Sequence, residues 1–209
     1  MKRTVHLGKP TRDQTPFEIF PDPRTVFAEW NDDMAARLLP LARFDLALAD
    51  DEESGKGVFL FCEDYGVDFL SWEVDDRGLI TKLDQDWRKI DPFEQYSPVE
   101  DVAKFKAEKG AYLKFEKFEI EIGPPSEFED GDTSWCSAFI DAMIEVGADD
   151  AGGNLRLGGG YPCYVQSTIP MMDDPGYLGE IATYDFGLPP VYLYLTGGDK
   201  TFTQDMQMT

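Results

Sequence analysis

The chain has 209 residues and a formal net charge of −22, because 41 Asp and Glu residues face 19 Lys and Arg. Hydrophobic residues make up 42% of the chain and aromatic residues 13%, which excludes a disordered acidic polypeptide and indicates a globular protein with a buried core. This negative charge repels phosphate backbones and therefore disfavours nucleic-acid binding. It is compatible with binding to basic proteins or cations, or with a role in solubility alone.

The first predicted elements are a helix, a strand and a hairpin. Asp22 can cap the helix, Pro23 suits its first position, and apolar residues recur at helical spacing until Pro40 stops it. The segment LARFDLALA alternates like a strand. GVFLFCEDYGVDFLSWEV predicts a hairpin with a turn near Gly66 and a return strand through Trp72.

A second helix and a long strand follow in the middle of the chain. Ser97 and Glu100 fit a capping box with a proline between them, and Gly110 ends the helix. In AYLKFEKFEIEIG, apolar and charged residues alternate, but the phase slips between Phe115 and Phe118. This pattern predicts an antiparallel strand with one buried face and a bulge at the slip.

The C-terminal part contributes a third helix and further strands. The helix lies in DTSWCSAFIDAMIEV, where Asp132 or Thr133 can cap it and Trp135, Phe139 and Met143 form one stripe. Three short segments, YLGEIATY, VYLYL and TFTQDMQ, read as strands. The predicted fold is therefore α+β, mainly antiparallel β-sheet with about three helices, in a single domain over residues 1–209.

A short motif, G-x-P-x-x-x-Q, occurs twice, at 8–14 and at 160–166. Two further pairs of segments echo each other in the same order, which matters more than any single match. The residues of these pairs are 41–44 with 178–181 and 57–61 with 190–194.

This colinear order predicts two pseudo-repeated halves, approximately 1–75 and 154–209, each with a turn, a strand and a hairpin. Residues 76–153 are then an insertion that carries helices. On this interpretation the glycines at 158–160 form a turn whose backbone adopts conformations closed to other residues.

The same glycine-rich stretch is the first candidate for ligand binding, because glycines allow close backbone approach. A phosphate loop would lead into a helix N-terminus with Lys and Ser or Thr behind it. Here a strand-like sequence follows and only Arg156 is positive nearby, so a structural turn is favoured over a nucleotide site. The candidate ligand-binding residues are Gly159, Gly160, Tyr161, Pro162, Tyr164 and Gln166.

Residues for catalysis and metal binding are few. His6 is the only histidine and lies near a terminus that we expect to be mobile, which disfavours histidine-based nucleophilic catalysis and zinc sites with several His ligands. The acidic segment EFEDGDTS (127–134) is the most metal-like, but it lacks the spacing of an EF-hand. We therefore predict no catalytic residue, no metal ligand and no cofactor.

The segment GGGYPCYVQ resembles the G-G-x-P-x-W-x-Q element of the YwqG-like family of uncharacterised bacterial proteins, with Tyr164 in place of the tryptophan. PLARFDL followed by GKGVFLFCED is similar to that family's strand ending in Gln-Ile-Asp and the strand after it. The similarity is scattered from about Gly8 to Gln204. It implies a mixed α/β fold with an internal duplication and a genomic setting like that of toxin–immunity systems, without an established activity.

Together these observations favour a non-enzymatic binding protein, such as an immunity-like or accessory factor for a basic protein partner. The alternative hypothesis is a protein that binds a small ligand or a divalent metal, or a hydrolase with paired carboxylates. A third is a dimer that buries a tyrosine-bearing face. Three cysteines without C-x-x-C spacing, a polar N-terminus and no long apolar run predict a cytoplasmic protein with no membrane contact.

Overall fold

The computed structural model describes residues 1–49, 55–61, 72–83, 86–93, 99–128, 134–148, 155–159, 161, 177–181, 191–196 and 201–206. Within these ranges the fold is α+β, as the sequence predicts: a nine-stranded sheet whose strand pairs are antiparallel, a two-stranded sheet and three α-helices. None of these helices is long and apolar enough to cross a membrane.

The strands and helices have the following bounds. The strands are β1 Lys2–Thr11, β2 Glu18–Ile19, β3 Leu39–Asp45, β4 Lys56–Phe61, β5 Trp72–Val74, β6 Ile80–Leu83, β7 Tyr112–Glu121, β8 Leu155–Gly158, β9 Tyr177–Ile181, β10 Val191–Thr196 and β11 Thr201–Met206. The helices are α1 Asp32–Ala35, α2 Val99–Lys109 and α3 Trp135–Glu145. The large sheet has the order β11-β10-β9-β8-β1-β7-β2-β3-β4, and β5 pairs with β6.

The N-terminal residues form the central strand of the large sheet, where the sequence suggested a mobile terminus. β1 pairs with β7 along its whole length, from Lys2 opposite Glu121 to Thr11 opposite Tyr112. On its other side it pairs with β8 over a much shorter stretch. Gly8, predicted to lie in a turn, is inside this strand, and the ring of Phe115 fills the space beside it.

The apolar phase slip in β7 is not a bulge, because its register with β1 is continuous. Leu113 and Phe115 contact the core on one face of the sheet. Ile120 and the partly buried Phe118 pack on the opposite face with α3. The prediction of one buried face was therefore wrong: the strand alternates regularly and buries a different face in each half.

The first predicted helix is interrupted. Asp22 does cap a turn, accepting a hydrogen bond from the Arg24 amide, but this 3₁₀ turn covers only Pro23–Thr25. Asn31 then caps the separate four-residue helix α1 by accepting a hydrogen bond from the Met34 amide. The apolar residues between and after these turns still pack together, so their helical spacing reflected a shared core without one continuous helix.

The predicted first hairpin is also different. β4 pairs with β3, and the described end of the segment expected to return to β4, Trp72–Val74, forms β5, which pairs with β6 in the small sheet. The proposed turn near Gly66 lies outside the described residues. The strand predicted in LARFDLALA ends at Asp45, whose carboxylate accepts a hydrogen bond from the Ala47 amide and caps a 3₁₀ turn, Leu46–Leu48.

Both longer helices lie where the sequence places them. Gly110 ends α2 with φ of 109°, and a Cβ there would clash with the Thr11 carbonyl, so glycine is required. The cap of α3 is Ser134, which accepts a hydrogen bond from the Ser137 amide, in place of the predicted Asp132 or Thr133. Ser97 and residues 129–133 are outside the described ranges.

In each predicted half, the two echoed segments lie on neighbouring antiparallel strands. β3 and β4 contain the echoes of the first half, and β9 and β10 contain those of the second. β10 also forms the predicted C-terminal hairpin with β11. Because β4 and β10 approach each other, the sheet curls around its largest buried cluster. The pseudo-repeat itself stays a prediction.

Candidate functional site

A notch in the large sheet forms where β8 leaves β1. Pairing between these strands ends with Val5 opposite Gly158, so β7 is the remaining strand partner described for Lys2–Thr4. Gly158 and Gly159 follow with φ of 78° and 84°, a left-handed conformation that favours glycine. The Gly159 amide donates a hydrogen bond to the Thr4 carbonyl at 2.9 Å, which fixes the point of departure.

A cleft of about 600 Å³ occupies this notch, with the 3₁₀ turn Leu46–Leu48 nearby. Its volume suits a small organic ligand, since such sites span roughly 300–1,000 Å³. None of the described residues that line it is acidic. They are Lys2, Arg3, Thr4, His6, Ala47, Leu48, Ala49, Lys117, Gly158, Gly159 and Tyr177.

The cleft is therefore a cationic site in a protein whose net charge is −22. Lys2 and Arg3 come from β1 and Lys117 from β7, so two neighbouring strands place three permanent cations around one opening. Cations placed around one opening attract an anionic ligand, and because Lys2 and Lys117 are exposed, salt screens their share of this attraction.

One carboxylate, Glu119, lies beside this group of cations. It accepts hydrogen bonds from Lys117 Nζ at 2.8 Å and Thr4 Oγ1 at 3.1 Å. These bonds, that from Lys117 first, lower the pKa of Glu119 below its ordinary value. Both members of the ion pair are more than half exposed, so the pair contributes little to stability and can exchange with a bound anion.

Arg3 differs from the two lysines because an aromatic ring holds it. Its guanidinium carbon lies 4.9 Å from the centre of the Tyr161 ring, a cation–π contact. Tyr161 in turn packs edge-on against Trp135 of α3, with 5.6 Å between ring centres. The Nε atom of Arg3 is buried and has no hydrogen-bond partner among the described residues.

Arg156, which is only 4% exposed, belongs to a separate buried network beside the cleft. Its Nη2 lies 2.9 Å from Glu180 Oε2 and donates to the Tyr177 hydroxyl at 3.0 Å, while its guanidinium lies over the ring of Phe139. The hydroxyl of Tyr177 also donates to Glu180. The carboxylate offsets the buried charge, and the hydrogen bond from Nη2 to the hydroxyl fixes Tyr177 in the cleft wall.

Of the six predicted ligand-binding residues, two lie in the described ranges. Gly159 lines the cleft, and Tyr161 holds Arg3 although it does not line the cleft itself. The other four, Gly160, Pro162, Tyr164 and Gln166, lie outside the described residues. The left-handed backbone agrees with the interpretation of a structural turn.

Sequence reasoning missed the cations of the cleft. The N-terminal alternation in KRTVHLGKPT could have indicated β1, because Val5 and Leu7 are fully buried between polar residues. The sequence pattern could not have shown that Lys117 lies near Lys2, because this proximity depends on the register between β1 and β7. Arg156, the one cation considered from the sequence, is instead held by its buried network.

The described residues contain no group of three or more His, Cys, Asp or Glu side chains that could hold a metal ion. The metal-like segment EFEDGDTS falls mostly outside them. His6, expected near a mobile terminus, is a half-buried residue of the central strand and lines the cleft. Cys136 lies partly buried on α3, and the other two cysteines are not in the described ranges.

Comparisons with protein-family models, curated proteins and solved structures found no match to this chain. The resemblance to the YwqG-like family therefore stays a prediction that rests on the quoted motifs.

Proposed function

We propose that the protein binds a small anionic ligand in the cleft at the notch between β1 and β8. The observation that carries this proposal is the placement of Lys2, Arg3 and Lys117 around one opening without an acidic residue among the described lining. In a chain with twice as many acidic as basic residues, such a cluster is unexpected from composition alone.

The ligand class follows from the groups available to bind it. Lysine ammonium groups supply point charges, and an arginine supplies a fork of N–H donors, so carboxylates and phosphates both suit the site. Ala47, Leu48 and Ala49 supply an apolar wall, which accommodates a short hydrocarbon body. The proposed ligand is an anion with a polar head and a small apolar part.

Isothermal titration calorimetry with alkyl carboxylates and alkyl phosphates tests this proposal. We expect saturable binding by the native protein and weaker binding by Lys117→Gln, which removes one cation from the cleft. Lys114→Gln is the matched control, because Lys114 is an exposed lysine of the same strand that does not line the cleft. It should bind as the native protein does.

Two results would contradict the proposal. The first is that no anion in the series binds the native protein. The second is that the Lys117 and Lys114 variants lose affinity to the same extent. Equal losses would mean that the anion senses only the overall charge of the protein and has no defined site.

A second function, binding of a basic protein partner, is supported by the net charge of −22 itself. Charge complementarity accelerates association and weakens with added salt. Pull-down from host lysate at low and at high salt should then yield one stoichiometric basic protein that is lost at high salt. An eluate without such a protein at both salts would contradict this second function.

A further inference from the structure

We propose that Arg3 recognises the head group of the ligand, and that the cleft therefore selects forked oxyanions, carboxylate or phosphate, over spherical anions. This inference rests on the proposed function, since it concerns the same cleft. It assigns specificity to one side chain and leaves Lys2 and Lys117 as sources of general positive charge.

The position of Arg3 in the sheet is the first observation. Side chains alternate along β1, so Lys2 and Thr4 extend on one face and Arg3 on the other. Next to Arg3 the sheet is notched, because β8 stops pairing at Val5. Arg3 therefore reaches the cleft from the face that packs on α3, opposite the face of the lysines.

The contacts of Arg3 are the second observation. In a chain rich in carboxylates, no hydrogen bond or ion pair to Arg3 occurs within the described part, and its Nε is buried without a partner. Nε itself is enclosed by protein, as it is in Arg37, Arg43 and Arg156, so a ligand oxyanion would bind the terminal N–H groups of Arg3, which donate to no acceptor in the described part. The five N–H groups of arginine can bind two oxygens of one head group in parallel.

The support behind Arg3 is the third observation. Tyr161 lies under the guanidinium, Trp135 packs against Tyr161, and the Trp135 indole N–H donates to the Gly123 carbonyl at 3.1 Å. Trp135 is 1% exposed, so this chain of contacts starts in the core and ends at the cleft. A guanidinium held in this way loses less conformational entropy when it binds a ligand.

Three probes with different head groups test the inference: hexanoate, hexyl phosphate and chloride. For the native protein we expect hexanoate and hexyl phosphate to bind at least about tenfold more tightly than chloride, because they can accept two parallel hydrogen bonds and also place a hydrocarbon tail against the apolar wall; the Arg3 variant separates these two contributions. Whichever of the two binds more tightly identifies the head group.

The decisive variant is Arg3→Lys, which keeps the charge but removes the fork and the stacked plane. We expect it to lose about tenfold or more in affinity for the better oxyanion, whereas its affinity for chloride should stay near that of the native protein because the charge is kept. Lys117→Arg, which also keeps the charge, is the matched control and should change affinity by less than about twofold, because Lys117 acts as a point charge. Thermal unfolding checks that both variants fold.

Tyr161→Phe and Tyr161→Leu provide a second comparison in case Arg3→Lys does not fold. The phenylalanine variant keeps a ring under Arg3 and should bind as the native protein does, whereas the leucine variant should bind more weakly. Native affinity of Arg3→Lys, or of Tyr161→Leu if that pair is used, would overturn the inference and leave the proposed function standing. Absence of binding to the native protein would overturn both.

Discussion

At the scale of single residues, Gly158 and Gly159 form the notch because no other residue fits there easily. Both have a left-handed backbone, and a Cβ added to Gly158 would lie 2.6 Å from the Thr4 carbonyl oxygen. The same carbonyl accepts the hydrogen bond from Gly159. The glycines thus shape the cleft by directing the chain away from β1, without contributing a charge.

Gly158→Ala should therefore lower the free energy of unfolding by more than the strain of a left-handed backbone alone. Gly147→Ala is the control, because Gly147 has φ of 84° but open space around its Cβ position. We expect Gly147→Ala to cost about 1–2 kcal/mol of unfolding free energy and Gly158→Ala at least about 1 kcal/mol more, owing to the added clash. Urea unfolding measures both, and equal losses would contradict the tight contact with Thr4.

At the scale of elements, α3 covers one face of the sheet with a narrow apolar stripe. Trp135, Phe139 and Met143 face the core, as the sequence predicted, whereas Ile140 and Ile144 are exposed. The stripe supports the aromatic contacts behind Arg3, so its packing bears on the cleft as well as on stability.

Met143→Ala and Ile144→Ala compare adjacent positions on opposite sides of this helix. Met143 is fully buried and Ile144 is 52% exposed. The first substitution should lower the free energy of unfolding by about 2–5 kcal/mol because it leaves a cavity. The second should change it by no more than about 0.5 kcal/mol. Similar losses for both would mean that the exposed side of α3 is buried in solution by another surface.

The turn between β5 and β6 makes a pH-dependent contribution through Asp75. Hydrogen bonds from the Leu79 amide and from Arg77 lower the pKa of Asp75 below its ordinary value of 3.8. The charged form is favoured in the folded state. The contribution of Asp75 is therefore complete above pH 3.8, the value for the unfolded chain, and is lost as pH falls through the lower folded pKa.

Carboxyl NMR titration of the native protein should give a midpoint for Asp75 below 3.8. Asp75→Asn should be less stable than the native protein at neutral pH, and this difference should shrink in acid as the native carboxylate becomes protonated. A midpoint at or above the ordinary value would show that the hydrogen bonds in the turn do not form in solution.

Prediction from sequence succeeded where a local signal decided the structure. The fold class, Gly110 as the end of α2 and the left-handed glycines all depend on residues near in sequence. It failed where packing between residues distant in sequence decided the structure. The apolar spacing around Phe27 suggested one helix, but Phe27 forms a parallel β-bridge with Ile80, which is distant in sequence. The alternation in β7 changed face because different elements cover its two halves.

The cleft lies beyond local signals for the same reason. Arg3 and Tyr161 are far apart in sequence, and only the departure of β8 from β1 places them together. Tyr161 could be named as a candidate because it follows the glycines. Its role, however, is to hold a cation from the other end of the chain.

At the scale of the whole molecule, the acidic charge and the cationic cleft oppose each other. The net charge of −22 repels an approaching anion at long range, whereas the cleft attracts it at contact. Added salt shortens the reach of the field from about 30 Å at 0.01 M to about 8 Å at 0.15 M. The long-range repulsion should therefore weaken before the contacts within the cleft do.

The association rate constant of a small anion should consequently rise as salt increases between these two concentrations, whereas that of a basic protein should fall. Stopped-flow measurement of hexanoate or hexyl phosphate binding shows whether the association rate constant rises or falls with salt. A rate constant that falls with salt would mean that the cations of the cleft, and not the net charge, control the approach of the ligand.

The central claim is that an anion binds at the notch, and an amide NMR titration of the native protein tests it most directly. Increasing amounts of the tighter of the two hexyl probes should shift the amides of Lys2–His6, Lys117 and Gly158–Gly159 along one saturating curve. Those segments are distant in sequence and meet only at the cleft. Shifts that never saturate and are as large at exposed lysines of α2, such as Lys104 and Lys109, would contradict a defined anion site.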